Sequence, residues 1–362
     1  MMTREDLAQL SKARENDMVL SVYIARHGSD PGDRGAWRLR LDGALEEIRD
    51  CIEREAPADL AAFEKAAELV GSGLESYGRV LPNEGWSAFA TEESLWHAEP
   101  LTFRPLDLVR WRQGVYVAPY LRTLKNRRPV TLVVLTRMHA TTYRYLDGEL
   151  EPGVELHAEW PAAEAADVGI SKRASSASGV RGVTRTDYRR RTEAENAKRH
   201  RKELVETLEG MAGDDGGVVL GGTVKAISAV RKDLEAKLAG RIVEAPEVSF
   251  DSTRPELEAA VAAAASTLTR MRQARLLEAC ADAGDRASRG WNQTYRALAA
   301  GAVDTLLVAR GLIESSPDDA ERLVRLAMAQ GADVEELGEE LGEQLTAGAE
   351  GVAARLRFRV LS

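Results

Sequence analysis

The sequence predicts an α/β multidomain protein built as three α/β modules, each a mixed sheet flanked by helices. Three observations point there. At 362 residues the chain has room for two to three domains. Short runs rich in Val, Ile and Leu alternate with stretches whose apolar residues recur every three or four positions, as in sheets covered by helices. With 44% hydrophobic and 30% charged residues the composition is that of a folded chain, and with only 5% aromatics Ala, Leu and Val must build its cores.

The first module, 1–127, is read as an N-terminal α/β domain. It opens with a short helix, Glu5–Glu15, and a Val/Ile/Tyr-rich strand, Met18–Ala25. A Gly/Asp/Pro turn, Gly28–Gly35, precedes a long helix carrying Leu41, Leu45, Ile48 and Ile52, and a second helix covers about Asp59–Gly71. Short strands are expected from Trp86 to Trp96 and over Gly114–Ala118, and Asn126–Pro129 punctuates the end.

The second module, 128–268, begins with the strand Val130–Thr136. A hairpin follows, Ala140–Leu146 and Glu149–Leu156, joined by Asp147-Gly148, a strong two-residue turn signal. From about 161 to 185 there is no periodicity, and a loop that long within a folded region is functional or disordered. The helix Thr186–Met211 then carries Ala194, Ala197, Leu204, Val205, Leu208 and Met211 on its apolar side. Strand Gly217–Leu220, the tight turn Gly221-Gly222, helix Val224–Leu238 and strand Ile242–Val243 follow, and Thr253 with Glu256 fits a capping box opening an Ala-rich helix. The third module, 269–362, alternates again: helices near Ala274–Ala283 and Trp291–Ala300, strand Thr305–Ala309, helix Pro317–Gln330, a last helix and the strand Ala354–Val360.

Several classes are excluded. No apolar run approaches the roughly 20 residues that span a bilayer, and the polar start Met1–Arg14 has no signal-peptide core. Two cysteines, Cys51 and Cys280, cannot make a disulfide framework or a zinc site. A cytoplasmic protein without membrane contact is expected. Phosphate-loop, dinucleotide, nucleophile-elbow and His-Glu-x-x-His motifs are absent, and the five histidines lack metal-ligand spacing, so no cofactor or metal is expected. Arg26-His27-Gly28 after a strand resembles the opening of the histidine phosphatases. No second histidine sits in a comparable turn, which leaves a phosphohydrolase as a minor alternative.

Charge supplies the strongest local signal. The chain carries −9 overall, yet residues 171–202 hold eleven cations against three acids, a local +8 on a body of −17. Those cations are Lys172, Arg173, Arg181, Arg185, Arg189, Arg190, Arg191, Lys198, Arg199, Arg201 and Lys202. Screening confines fields to about 8–10 Å at physiological salt, so a basic island can engage phosphates despite the acidic remainder. All eleven are candidate RNA-binding residues. The plainer reading is a solvated helical face with Glu193 and Glu195 as intrahelical partners.

The stretch Gly290–Val308, with its helix ending Ala297-Leu298-Ala299-Ala300-Gly301-Ala302-Val303 before a buried strand, resembles the C-terminal domain of the archaeal and eukaryotic peptide-chain release factors and Pelota. The closing run Ala353–Val360 is similar to that domain's last strand. Upstream, the hairpin, the long loop, the basic helix with Lys198-Arg199-His200 and the turn at Val218–Gly222 follow the order of that family's central domain. Ser21-Val22-Tyr23-Ile24 resembles the start of the bacterial members.

The resemblance covers about Arg128–Ser362 and implies a release-factor-like central domain with a mobile basic loop and a release-factor-like C-terminal domain. It also implies a ribosome partner met through ribosomal RNA, and elongation factor Tu or a related translational GTPase as a second one. The family's Gly-Gly-Gln, which positions water against the peptidyl ester, is missing here: no glutamine lies between Gly114 and Met271. The expectation is therefore a non-enzymatic, Balon-type hibernation or stress factor in the ribosomal A site, with no catalytic residue. The alternative is a ribosome-rescue peptidyl-tRNA hydrolase with different loop chemistry.

Overall fold

A computed structural model describes residues 4–26, 35–78, 80–81, 83–102, 104–120, 128–158 and 185–360. It is an α/β multidomain protein with three sheets, one within each expected module. The first sheet contains β1 (Met18–Ala25), β2 (Gly85–Ala90), β3 (Leu95–Leu101) and β4 (Leu108–Gln113) in the order β3-β2-β1-β4, accompanied by α1 (Arg4–Ala13), α2 (Ala36–Glu55) and α3 (Leu60–Leu74). All its pairings are antiparallel. The second contains β5 (Val130–Leu135), β6 (His139–Leu146), β7 (Glu149–His157), β8 (Gly217–Gly222) and β9 (Ile242–Ala245), with α4 (Arg185–Ala212), α5 (Val224–Glu235) and α6 (Arg254–Asp282). The third contains β10 (Ala287–Arg289), β11 (Val303–Ala309), β12 (Asp333–Leu337) and β13 (Val352–Leu356), with α7 (Trp291–Ala299), α8 (Arg310–Ser315), α9 (Pro317–Ala329) and α10 (Glu339–Ala349).

By contact the chain forms two compact units, residues 1–127 with 273–362, and residues 128–272. Within the first unit β1 explains the grouping. Leu20, Val22 and Ile24 face α2 and α3, meeting Trp86, Trp111, Phe63 and Val70. Val19 and Tyr23 point the other way, into a core shared with Leu298, Leu306, Val308, Leu323 and Val324. A strand buried on both faces is apolar at nearly every position rather than at alternate ones, and in β1 the one small polar residue, Ser21, is buried with its hydroxyl accepting the Tyr116 N–H.

Polar bonds fix the same seam. Glu321 of α9 is only 5% exposed, and its Oε2 accepts the backbone N–H groups of Val117 and Ala118 at 2.9 and 2.8 Å. Burial pushes its carboxyl up to about 7, with the two amide bonds pulling the other way. The Tyr116 hydroxyl donates to Asp318, and the buried Tyr23 hydroxyl donates to the Tyr116 carbonyl.

The second unit has sheet order β7-β6-β5-β8-β9, with β5, β8 and β9 parallel and β5-β6-β7 an antiparallel meander. Alternation along β5 divides its two cores. Val133 and Leu135 pack under α4 and α5 with Leu204, Leu208, Ile227 and Val230. Val130, Leu132 and Val134 face α6 through Leu257, Val261 and Leu268.

The structure corrects several expected elements. Gly114–Ala118 is not a strand; it is the segment whose amides Glu321 holds, and the edge strand is β4, just before it. The short strands expected from Trp86 to Trp96 are the hairpin of β2 and β3, which runs on to Leu101. Ala274–Ala283 is no separate helix, because α6 runs unbroken from Arg254 to Asp282 through the expected 268/269 boundary. The last strand is Val352–Leu356, earlier than expected, and β12 was not anticipated. The loop expected at 161–185 lies almost wholly outside the described residues, as do Gly28, His27 and Asn126. Among the described residues no helix is long and apolar enough to cross a membrane.

Candidate functional site

The basic island falls on the long helix of the second unit. Leu204, Val205 and Leu208 anchor α4 in the core, which fixes the rotation of the helix. Arg191, Lys198 and Lys202, seven and four residues apart, therefore share one outward stripe, all exposed, with exposed Arg199 beside it. Arg191 pairs with Glu195 at 3.3 Å and Lys202 with Glu206 at 3.7 Å, both one helical turn apart. Such exposed pairs hold only about 0.3–0.5 kcal/mol, too little to keep a cation from a phosphate. Arg201 differs: it is half-buried and pairs with Asp233 of α5 at 2.7 Å, joining the two helices. Arg185, Arg189 and Arg190 lie on α4 with side chains outside the described atoms, and Lys172, Arg173 and Arg181 lie outside the described residues.

A cleft of about 830 Å³ opens beside this helix, between α4 and α5 at the carboxyl ends of β5 and β8. Its geometry starts from Gly222, whose φ of +112° suits only glycine. A Cβ there would sit 1.9 Å from the Leu135 carbonyl oxygen, so the two parallel strands approach as closely as backbone allows. The chain then turns directly into α5, with the Thr223 N–H donating to Leu135 O at 3.0 Å. Thr223 is the N-cap of α5, and its side chain makes no cap bond. Ala226 N–H is taken by the Thr223 carbonyl at 2.9 Å, which leaves the first-turn amides of Val224 and Lys225 without an intrahelical acceptor, with the partial positive charge of a helix start beside the cleft. Arg137, just after β5, Lys198 of α4 and Lys225 of α5 add three cations to its lining.

His200 is the inward neighbour of those cations. It lines the cleft, is 4% exposed, and neither ring nitrogen has a hydrogen-bond partner. Burial pushes its pKa down, and nearby Glu203 opposes the shift. A buried imidazole without partners is a costly feature to retain.

Two further histidines are brought together by strand pairing. His139 and His157 stand opposite one another on β6 and β7, and with Glu155 their donor atoms lie within 4.8 Å of each other. Sequence spacing concealed that group. The rings stack at 4.1 Å and 18°, and Phe250 stacks on His139 at 4.5 Å, so the imidazole lone pairs lie in near-parallel planes rather than converging on a point. Of the phosphohydrolase pair, Arg26 is a described surface residue donating to the Asn83 carbonyl, and His27 lies outside the described residues.

Arg137, His200, Thr223 and Lys225 were not among the residues expected to act. The Gly221-Gly222-Thr223 turn was read as close packing, which it is; the additional signal was its place between a parallel strand and a helix, where open α/β sheets hold ligands.

Residues 116–270 match the family described as bacterial archaeo-eukaryotic release factor family 10, and residues 272–360 match domain 3 of eRF1. Among solved structures, the chain is similar to the archaeal translation termination factor aRF1, with 18% identity, 99% of each chain covered and a TM-score of 0.28. It is also similar to Pelota of Archaeoglobus fulgidus, with 17% identity, 77% and 80% covered and a TM-score of 0.38. A third likeness is to archaeal Pelota, in a model of ribosome-bound Pelota and ABCE1, with 15% identity, 99% and 95% covered and a TM-score of 0.42. No curated protein matches significantly.

Proposed function

We propose, from the premise that this chain is a bacterial relative of the archaeal and eukaryotic release-factor and Pelota superfamily, that it is a ribosome-binding factor without peptide-release chemistry. In this reading it occupies the A site of idle or stressed ribosomes, with the α4 stripe against ribosomal RNA and elongation factor Tu or a related translational GTPase as a second partner. The observation that carries it is the outward row Arg191, Lys198 and Lys202, with Arg199 beside it, on a helix whose opposite face is locked in a core. Polyanion binding by such a row needs no deformation of the fold. The non-enzymatic part of the proposal is supported by the lack of any glutamine between Gly114 and Met271.

Co-sedimentation with bacterial ribosomes across a salt series tests the binding. Each phosphate contact releases condensed counterions, so affinity should fall steeply with salt. The R191E/R199E/K202E variant should bind at least about tenfold more weakly and with a flatter salt slope, because several such contacts are lost. An unchanged affinity and slope in a variant that melts normally would leave α4 a solvated face and sink the reading. In a purified peptidyl-tRNA release assay the protein should liberate no peptide; stoichiometric release would establish the hydrolase instead.

A further inference from the structure

We propose that the cleft between α4 and α5 is a binding site for a nucleotide-sized phosphate ester, with the phosphate at the start of α5 and the organic body between the two helices. This is a second site, which shares Lys198 with the outward stripe of α4 but adds Arg137, Lys225 and His200, and it does not depend on ribosome binding.

Four observations converge. The first is the helix start: α5 is twelve residues long, its cap hydroxyl is uncommitted, and the tight Gly222 turn brings its first-turn amides to the end of the parallel strands. Amides so placed receive an anion without rearrangement. Charge is the second, since Arg137, Lys198 and Lys225 reach the cleft from three different elements, while Arg201 is committed to Asp233. Arg137, Lys198 and Lys225 come to one cleft from separate elements, whereas Arg191, Lys198 and Lys202 follow one another along a single helix.

His200 is the third observation, and it is independent of the other two. A side chain 4% exposed with both nitrogens unpartnered lines the same cleft. A neutral imidazole has one donor and one acceptor. A ligand carrying only phosphate oxygens answers the donor; a hydroxyl-bearing ester answers both.

Size and lining are the fourth. About 830 Å³ is far more than an inorganic phosphate fills and lies within the range of small-molecule sites. The walls include Ala197, Leu204, Ala226 and Val230, and Val224, at the first turn of α5, leaves 70% of its surface exposed. Apolar walls around a cationic end suit a ring attached to a phosphate. An RNA backbone, with a phosphate every nucleotide, would instead favour a groove with cations along its length.

Calorimetric titration of the full-length protein with adenosine 5′-monophosphate, adenosine and inorganic phosphate tests this. The monophosphate should bind at least tenfold more tightly than either fragment. V224D is the decisive variant: an acidic residue in the first turn favours the helix dipole, so α5 is retained, yet it places a negative charge where the phosphate would sit. Its melting temperature should match wild type, and its affinity should drop at least tenfold. The exposed K225Q provides a second variant with little bearing on folding, and it should lose several-fold. The proposal is overturned by no binding of the monophosphate at millimolar concentration, or by adenosine binding as tightly as the monophosphate. It is overturned equally by inorganic phosphate doing so, or by binding that survives both variants. A single-stranded RNA that binds tenfold more tightly than the monophosphate and is lost in the same variants would also overturn it, by assigning the cleft to a polymer.

Discussion

Glu321 and His200 are both buried ionisable side chains, one in each compact unit, and their surroundings treat them oppositely. Glu321 receives two backbone N–H groups on Oε2, from Val117 and Ala118, while its Oε1 has no hydrogen-bond partner, and both donors come from a segment about 200 residues away. It therefore works as a clasp, joining the end of the first sheet's chain to α9. His200 receives nothing from the protein, and it faces an open cleft whose lining holds four cations, one of them, Arg201, paired with Asp233. A buried oxygen that the chain satisfies belongs to the architecture. A polar group that the chain leaves unanswered beside a cleft is suited to a ligand. The contrast is between one carboxylate oxygen spent on assembly and an imidazole turned toward a cleft.

The largest effect should come from breaking the turn that shapes the cleft. Gly222→Ala forces a Cβ against the Leu135 carbonyl at a positive φ, so either the β5–β8 pairing or the start of α5 must move. A loss on the order of 3–4 kcal/mol is expected, read by denaturant unfolding. A nearly neutral result would mean that the two strand ends can separate easily, and the cleft would then have no fixed geometry.

Next is the clasp. Glu321→Ala leaves the amides of Val117 and Ala118 buried without an acceptor, which should cost roughly 2–5 kcal/mol and lower the transition of the unit containing residues 1–127 and 273–362. Glu321→Gln separates charge from hydrogen bonding. The folded-state pKa is raised to about 7 from the ordinary 4.5, so the folded protein binds more protons between those values. The carboxyl's contribution is fully present below about 4.5 and is lost as pH rises through about 7. Glutamine keeps an oxygen for the two amides and does not titrate. E321Q should match wild type near pH 5, exceed it at pH 8, and show a flatter melting profile between. A wild-type profile flat across that interval would remove the buried charge from the account.

Legibility in the sequence followed locality. The β6–β7 turn could be read because Asp147 and Gly148 supply both positive φ values within two residues. The capping box could be read because the Glu256 carboxylate accepts from Thr253 three residues away. The edge strand β4 could not, since Arg110 and Arg112 alternate with Val109 and Trp111 and look polar when only one face is covered. Gly114–Ala118 looked like a strand because Val115 and Val117 must be buried, but its hydrogen-bond acceptor is a carboxylate on α9 that no window of sequence contains. At the candidate site the cations of α4 were legible as a charge run, but the internal pair at Arg201 and the double place of Lys198, on the outward stripe and at the edge of the cleft, were not. Both depend on helix rotation, which the packing of Leu204 and Leu208 against α5 decides. The cleft itself joins residues 136–137, 198–200 and 223–225, a constellation with no signature along the chain.

The smallest effect gives the sharpest test of the comparison. His200→Leu removes an imidazole that makes no hydrogen bond in the protein and replaces it with an apolar group of similar reach. Where a buried polar group has no partner, losing it removes a desolvation cost and orphans nothing, so the change should be within about 1 kcal/mol of neutral and on the stabilising side. The measurement belongs at pH 7.5. Burial pushes the His200 pKa below its ordinary 6.5, so the ring is mainly neutral in both states there and the difference reports packing alone. At lower pH the unfolded chain takes up a proton that the folded one resists. Wild type should therefore lose stability as pH falls below about 6.5, through the folded-state value, and the leucine variant should lose less. Opposite signs for Glu321→Ala and His200→Leu are what the contrast between clasp and ligand-facing group requires. If His200→Leu instead costs as much as Glu321→Ala, the imidazole has a structural partner, and the distinction between clasp and ligand-facing group fails.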